Sequence, residues 1–354
     1  MAKSGFTFCR RRGYHVLGIQ SMAENQIALV ENIVSSLQKA GFTSVRWIPV
    51  GELKNRLKAF PSGDAQGAPL PDTGTVVLAA FPYHRPGEPD DGSLPGDPHA
   101  LIAPFARRHY YREAVIRMKA VAGNLPFPRS HFRIFSNSRL PEKPMAAAAG
   151  LGFYGRNGLI ISRETGSRFI IAGIMTPLLT TEASHPAFSA EPGSYCGNCR
   201  LCADSCPTGA LDGSGALDQS RCLQAISTRH VVLPEPIAAV WGKRLYGCDL
   251  CQDPCPFNTS PRPDNPPVTG ELGPSISIRL LLSWGLTGEI KQKLRGTALG
   301  MGWMNYYTFI RNALQSAGTG GDKTLVEYVK AYTVHEDSVL AETSRRVLDR
   351  FLHP

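Results

Sequence analysis

The stretch Cys196-Gly-Asn-Cys199-Arg-Leu-Cys202-Ala-Asp-Ser-Cys206-Pro207 decides how the centre of this chain folds. A second group follows at Cys248-Asp-Leu-Cys251-Gln-Asp-Pro-Cys255-Pro256, and Cys222 stands between the two groups. Eight of the nine cysteines in the 354-residue chain therefore lie within residues 196–255, and only Cys9 lies elsewhere. Cysteines at short, regular spacings are typical of metal ligands.

The first group has the C-x2-C-x2-C-x3-C-P arrangement of bacterial ferredoxins, in which the fourth cysteine ligates the other of two clusters. We therefore predict two [4Fe–4S] clusters. The ligands of the first are Cys196, Cys199, Cys202 and Cys255, and those of the second are Cys206, Cys222, Cys248 and Cys251. Disulfide frameworks suit small secreted chains, and zinc sites lack the C-x3-C-P step, so neither alternative is favoured.

Composition and charge narrow the classes of partner. The formal net charge of +9 favours an anionic partner, such as a nucleic acid or an acidic electron donor. No apolar run is long enough to span a membrane. After Arg10-Arg11-Arg12, residues 13–21 are too short and too interrupted for the apolar core of an export signal. We expect a cytoplasmic protein in which residues 1–21 are a disordered extension and the folded part begins at Met22.

The apolar pattern predicts an α+β fold in three parts. Residues 22–185 form an α/β cofactor-binding domain, residues 186–265 a ferredoxin-type module, and residues 266–354 a helical, HEAT-like tail. The predicted helices lie at 23–41, 106–122, 305–317, 322–333 and 336–352, and the predicted strands at 45–50, 75–81, 158–162 and 169–175. The last two strands look like a hairpin joined by a glycine-containing turn.

Residues 150–155 contain a glycine motif that also occurs in dinucleotide-binding sites. Gly150-Leu-Gly152-Phe-Tyr-Gly155 matches G-x-G-x-x-G, which in a dinucleotide site follows a strand and opens a helix. Here residues 144–149 favour a helix, and the segment after the motif favours a strand. The glycines therefore make a helix-to-strand turn, or they let the backbone approach something flat or bulky.

Several segments resemble the epoxyqueuosine reductase family, and the resemblance covers residues 75–258 well. Residues 149–161 look like the family's A-G-L-G-W-x-G-K-x-x-L-I-I, and residues 202–210 match C-x3-C-P-T-G-A. Residues 163–169 are similar to the family's next strand. Residues 244–258 are similar to R-I-Y-G-C-D-x-C-Q-x-x-C-P-W-N.

The resemblance implies an enzyme with cobalamin and two [4Fe–4S] clusters that reduces an epoxide in the wobble nucleoside of tRNA to give queuosine. It implies that the N-terminal domain binds cobalamin, with Gly152, Gly155, Arg156 and Asn157 in the corrin-facing loop. We also expect a monomer with no membrane partner, and an electron donor such as flavodoxin or ferredoxin.

The catalytic position departs from the family pattern. The family's V-D-[ST]-x-P-x-L-E-[RK] carries an aspartate taken as the proton donor to the opened epoxide, and residues 135–143 here are one residue shorter. Alignment from Phe135 places Asn137 at the aspartate, whereas alignment from Glu142 places Ser136 there. Neither side chain is a carboxylic acid, so the catalytic residue stays unassigned. Arg229 also stands where the family has an acid, and we interpret Glu142 as a structural acid.

Two functions are compatible with these departures. The first is a reductase of this family, with altered or lost substrate chemistry. The second is a ferredoxin-type electron-transfer protein without catalytic activity. A reductive dehalogenase would share the cofactors, but it normally has an export signal and a membrane partner. Basic residues of the tail form either a tRNA-binding surface or a solvated helix face: Arg311, Lys323, Lys330, Arg345, Arg346 and Arg350.

Overall fold

The structure, a computed structural model, describes residues 13–60, 69–83, 96–258, 270–302 and 304–353, with side chains from residue 25 onward. The strands are β1 (Thr43–Pro49), β2 (Thr75–Pro82), β3 (His99–Ile102), β4 (Arg133–Phe135), β5 (Phe153–Tyr154), β6 (Ile160–Ile161), β7 (Phe169–Thr176), β8 (Arg244–Tyr246) and β9 (Ser275–Ser277). The helices are α1 (Gly13–Lys39), α2 (Val50–Leu57), α3 (Tyr110–Gly123), α4 (Glu142–Ala148), α5 (Leu201–Asp204), α6 (Leu223–Ile226), α7 (Glu235–Ala239), α8 (Ile278–Thr287), α9 (Ile290–Lys293), α10 (Tyr306–Gly320), α11 (Val326–Lys330) and α12 (Ser338–Leu352).

The N-terminal part is an antiparallel sheet covered by helices on both faces. The strand order is β1-β2-β7-β4, so the two most apolar strands, β2 and β7, lie in the centre. Alternate residues of a strand point to opposite faces. Val77 and Phe81 pack with α1 and α3, whereas Val76 and Leu78 pack with α2 and α4. Burial on both faces explains why the sequence of β2 is a continuous apolar run.

The predicted hairpin of residues 158–162 and 169–175 is wrong. Ile160–Ile161 of β6 pairs with β5, whereas β7 pairs with β2 along eight residues and with β4 on its other side. The physical reason is the length and apolar character of β7, which is buried along most of its length only as a central strand. The short β5–β6 hairpin instead follows α4 and lies beside the cysteine module.

The N-terminal helix begins earlier than predicted. Helix α1 starts at Gly13, so the predicted boundary at Met22 falls inside a helix. The expected disorder of residues 13–21 stays a prediction. The rest of the predicted extension, residues 1–12, lies outside the described residues.

A second sheet joins the three predicted parts of the chain. Its strand order is β8-β3-β9. Strand β3 belongs to the N-terminal part, β8 to the cysteine module and β9 to the tail. Residues of this sheet, such as Ile102 and Leu245, share one core with the tail helices. The tail is helical as predicted, and none of the described helices is both long and apolar enough to cross a membrane.

Candidate functional site

The predicted ligands of the first cluster come from a surface loop and one buried cysteine. Residues 196–202 follow tight turns, and α5 carries Cys202. Cys255 is 8% exposed and shares an apolar cluster with Cys196, although the two are far apart in sequence. Burial raises the pKa of the Cys255 thiol, and the nearby thiols of Cys196 and Cys199 raise it further. Folding thus brings Cys255 to the first loop.

The predicted ligands of the second cluster meet at one cavity. Cys206, Cys222, Cys248 and Cys251 all line a space of about 280 Å³, which we call the cluster cavity. Burial raises the pKa of the Cys251 thiol, and Asp249, Cys248 and Cys222 add to this effect. Four thiols around one space are the ligand set that a [4Fe–4S] cluster takes.

All eight of these cysteines are free thiols. In the described part of the chain, no three Cys, His, Asp or Glu side chains converge as ligands of a single metal ion. A [4Fe–4S] cube does not require such convergence, because each thiolate binds a different iron atom of the cube.

Aromatic and polar side chains complete the wall of the cluster cavity. Tyr83, Phe105 and Tyr111 line it together with the thiols. Two buried acceptors in its wall, the Oε1 atom of Gln224 and the Oδ2 atom of Asp249, have no hydrogen-bond partner among the described residues. Burial raises the pKa of Asp249 to about 6, although the guanidinium of Arg168 opposes the shift. Such acceptors leave hydrogen-bonding capacity for a bound group.

The four residues of the predicted corrin-facing loop lie in three different surroundings. Asn157 is buried and lines the cluster cavity. Gly152 and Gly155 instead face the β5–β6 hairpin, because a Cβ on either would collide with Ile161, at 2.6 and 2.5 Å respectively. Arg156 turns to the cysteine module and donates to the carbonyls of Gly213 and Gly197, at 2.6 and 2.9 Å.

The glycine motif therefore makes the helix-to-strand turn between α4 and β5 that the sequence predicts. Of its candidate cofactor residues, Asn157 is the one whose position suits contact with a ligand in the cluster cavity.

One of the two candidates for the family's aspartate position lines a second cavity. This space of about 240 Å³, the loop cavity, is lined by Asn137 and shares Phe105, Tyr111 and Gln224 with the cluster cavity. The hydroxyl of Ser136 instead donates to the carbonyl of Ile171 in β7 at 2.8 Å. Alignment from Phe135 is thus the one that places a side chain in a cavity.

Glu142 shapes the backbone that presents Asn137. Its carboxylate accepts the backbone N–H groups of Asn137 and Ser138, at 3.0 and 2.7 Å. Asn137 has a φ of 51°, a left-handed conformation in which asparagine is several-fold enriched. Burial raises the pKa of Glu142, and the hydrogen bonds from Ser138 and Asn137 oppose the shift. The interpretation of Glu142 as a structural acid agrees with these contacts.

The tail differs from the expected basic surface. Arg311 is fully buried, and its guanidinium donates to the carbonyls of Ile226 and Arg229 at 2.9 and 2.7 Å. Arg345 and Arg346 both pair with Glu342, and Arg350 pairs with Glu235. The inclusion of Arg311 in a surface patch is therefore wrong. Its long side chain serves the interface between the tail and the cysteine module, which sequence spacing alone does not reveal.

The residues that the sequence analysis missed are the aromatic wall residues and Gln224. Tyr83 follows the end of β2, Tyr111 lies in the first turn of α3, and Gln224 lies on α6. A weak signal was available at Tyr83, since the hydroxyl of a buried tyrosine usually has a hydrogen-bond partner. Nothing in the sequence indicated that these three separate segments meet.

Comparison with known proteins defines the class of protein. The model for 4Fe-4S double cluster binding domains matches residues 195–258, which contain all eight clustered cysteines. Over 92% of this chain, the fold matches a solved epoxyqueuosine reductase in complex with a tRNA-Tyr stem loop, with a TM-score of 0.73, 22% identity and 91% of that chain covered. A structure of epoxyqueuosine reductase from Streptococcus thermophilus matches with a TM-score of 0.72, 21% identity and coverage of 91% and 90%. This is a double [4Fe–4S] cluster protein.

Sequence comparison gives the family. An epoxyqueuosine reductase from Lactococcus garvieae (strain Lg2) is 30% identical over 287 residues, which is 76% of this chain and 75% of that protein. One from Burkholderia pseudomallei (strain K96243) is 32% identical over 212 residues, which is 57% of this chain and only half, 50%, of that relative. The chain belongs to the epoxyqueuosine reductase family.

Proposed function

We propose that this protein is an iron–sulfur oxidoreductase that reduces the epoxide of epoxyqueuosine in tRNA. The observation that carries the proposal is the position of the second predicted ligand set. Its four thiols line a cavity that shares three wall residues with the cavity of Asn137. An electron carrier at the thiols would therefore lie beside a space in which a substrate can bind.

The two ligand sets suggest a direction for electron flow. The first set belongs to a loop whose tip is at the surface, with Leu201 46% exposed. The second set faces inward, towards the cluster cavity. We infer that the first ligand set would hold the cluster nearer to a donor such as flavodoxin or ferredoxin, and that the second set would hold the cluster nearer to the substrate.

Cobalamin is the cofactor that this family resemblance implies for the space beside the second cluster. The aromatic wall and the unpartnered acceptors of Gln224 and Asp249 fit a large ring with polar edges. Asn157 and the aromatic residues would hold it, whereas Gly152, Gly155 and Arg156 would act by shaping the module around it. When bound, cobalamin supplies a strongly nucleophilic cobalt that stores two electrons. The protein binds the ring, excludes water and orients the substrate.

The second candidate is an electron-transfer protein without catalytic activity. The observation that favours it is Asn137, because an amide does not donate a proton near neutral pH. In that case both clusters would be reduced, but no tRNA would be converted. The two candidates differ only in the last step, so one experiment separates them.

The test is single-turnover conversion of tRNA that contains epoxyqueuosine. The protein is reconstituted anaerobically with iron, sulfide and cobalamin, reduced chemically, and mixed with a deficit of tRNA. Formation of queuosine in the digested tRNA supports the reductase. If spectra show that both clusters are fully reduced and tRNA is bound, but no queuosine forms, the protein is the electron-transfer protein instead. Loading with zinc and only trace iron would refute both candidates.

A further inference from the structure

A phenol lies between the two cavities. Tyr111, in the first turn of α3, lines both the cluster cavity and the loop cavity. The two residues that share this position, Phe105 and Gln224, have a hydrocarbon ring and a neutral amide. Tyr111 is thus the residue of the shared wall that carries an acidic O–H group.

The other phenols of the site are less suitable as proton donors. The hydroxyl of Tyr83 lies 3.2 and 3.1 Å from the amide oxygen and nitrogen of Gln252. Tyr246 is only 6% exposed, and it lines the loop cavity but not the cluster cavity. The hydroxyl of Tyr111 has no hydrogen-bond partner in the part of the chain that the structure describes. It is therefore available to a molecule that occupies the cavities.

We propose that Tyr111 is the proton donor of the reaction, in place of the aspartate that Asn137 replaces. This inference rests on the proposed function, since it assigns a role within that reaction. With this role for Tyr111, the protein can act on the same substrate although it lacks the family's aspartate. A wall residue, and not the shortened loop, supplies the proton.

The chemistry of the donor suits an alkoxide acceptor. Burial raises the pKa of Tyr111 above its ordinary 10.0, with further contributions from Tyr246 and Glu142, so the phenol stays protonated throughout the neutral range. The oxygen released by opening of an epoxide is more basic than a phenolate, because its conjugate acid is an alcohol, which is about as weak an acid as water. Proton transfer from the phenol to this oxygen is therefore favourable.

The overall reaction balances with protons and electrons of defined origin. Conversion of the epoxide to an alkene breaks both C–O bonds, consumes two electrons and two protons, and releases the oxygen as water. The eight cysteine thiols would hold the two clusters that would supply these electrons. Tyr111 gives one proton to the oxygen as the first C–O bond breaks. Solvent supplies the second proton and restores the phenol.

The decisive variant is Tyr111→Phe, which removes only the hydroxyl. We expect its single-turnover rate to fall by about 10²–10⁴-fold, the usual contribution of a positioned acid. Its iron content, the spectra of its reduced clusters and its affinity for the tRNA should stay unchanged. Tyr306→Phe is the matched control, because Tyr306 lies on α10 outside both cavities.

Rescue at Asn137 gives a second readout. If Tyr111 is the donor, Asn137→Asp should raise the rate of Tyr111→Phe at least tenfold, because the new carboxyl group would supply the missing proton. The rescued rate should fall as pH rises through the pKa of the new carboxyl group.

A Tyr111→Phe rate within threefold of the wild-type rate would exclude Tyr111 while leaving the proposed function intact. A slow variant that has also lost iron would show a structural role and overturn the proposal. A wild-type protein with reduced clusters but no conversion would refute the proposed function, and with it the role of Tyr111.

Discussion

Replacement of Gly173 by alanine should disturb the strand that carries the site loop. Gly173 in β7 pairs with Phe135 in β4, and the aromatic ring lies over the glycine. A Cβ on Gly173 would stand 2.7 and 2.8 Å from the Cε1 and Cε2 atoms of that ring, and nearer still to Cζ. Carbon atoms prefer about 3.5–4.0 Å, so the ring would have to retreat by about 1 Å.

The expected cost follows from this overlap. Overpacking in a filled core costs about 1–3 kcal/mol, and alanine recovers about 0.5–1 kcal/mol relative to glycine within a strand. We therefore expect Gly173→Ala to lower the free energy of unfolding by about 0.5–2 kcal/mol. Phe135 directly precedes the loop of Ser136 and Asn137. A displacement of about 1 Å at a site can reduce the rate about 100-fold.

The assay combines urea unfolding of the cluster-loaded protein with single-turnover kinetics, both under anaerobic conditions. Gly51→Ala is the control, because Gly51 lies on helix α2 and a Cβ there meets nothing within 4 Å. It should stabilise the protein by up to about 1 kcal/mol. Phe135→Leu combined with Gly173→Ala should recover part of the loss. If Gly173→Ala matches the wild type in both stability and rate, the ring overlap does not limit this strand.

Three further perturbations test the cluster module and the tail. Cys255→Ser should reduce the iron content from about eight to about four atoms per chain, as measured by colorimetric iron assay, since one cubane loses a ligand. Asp337→Ala should cost about 1–2 kcal/mol in urea unfolding through loss of the α12 cap. Burial opposes ionisation of Asp337, but hydrogen bonds from α12 and from a histidine lower its pKa below 3.8 in the folded protein. The stabilisation by the cap is therefore fully present above pH 3.8, and it disappears as the pH falls through the pKa of the folded state. Charge reversal of Arg345 and Arg346 should change the affinity for tRNA by no more than about threefold at physiological salt, because both side chains already pair with Glu342. A larger loss of affinity that depends on salt would identify a tRNA-binding surface.

Much of the site chemistry is predictable because it depends on local spacing. The C-x2-C-x2-C-x3-C-P run identifies the cluster type from one short segment, and the order of α4 and β5 follows from the residues on either side of Gly152. The structural role of Glu142 is also local, since it accepts N–H groups only four and five residues away.

Other features could not be predicted, because they depend on contacts between distant segments. The strand partner of β7 is β2 and not the neighbouring β6, since pairing in the centre of a sheet buries more of its apolar residues. The direction of Arg156 likewise depends on carbonyl groups of the cysteine module. Sequence similarity identified that loop, but it did not show which of its side chains face a cavity.

The sequence by itself determined the double-cluster class, the family and the mixed fold, because ligand spacing and apolar periodicity are properties of short segments. Only the tertiary structure decided that Asn137 and not Ser136 faces a cavity, and that Arg311 is buried. It alone placed Tyr111 between that cavity and the cluster ligands. The physical reason is that a cavity wall is assembled from segments far apart in the chain, whose meeting depends on the packing of the whole sheet and its helices.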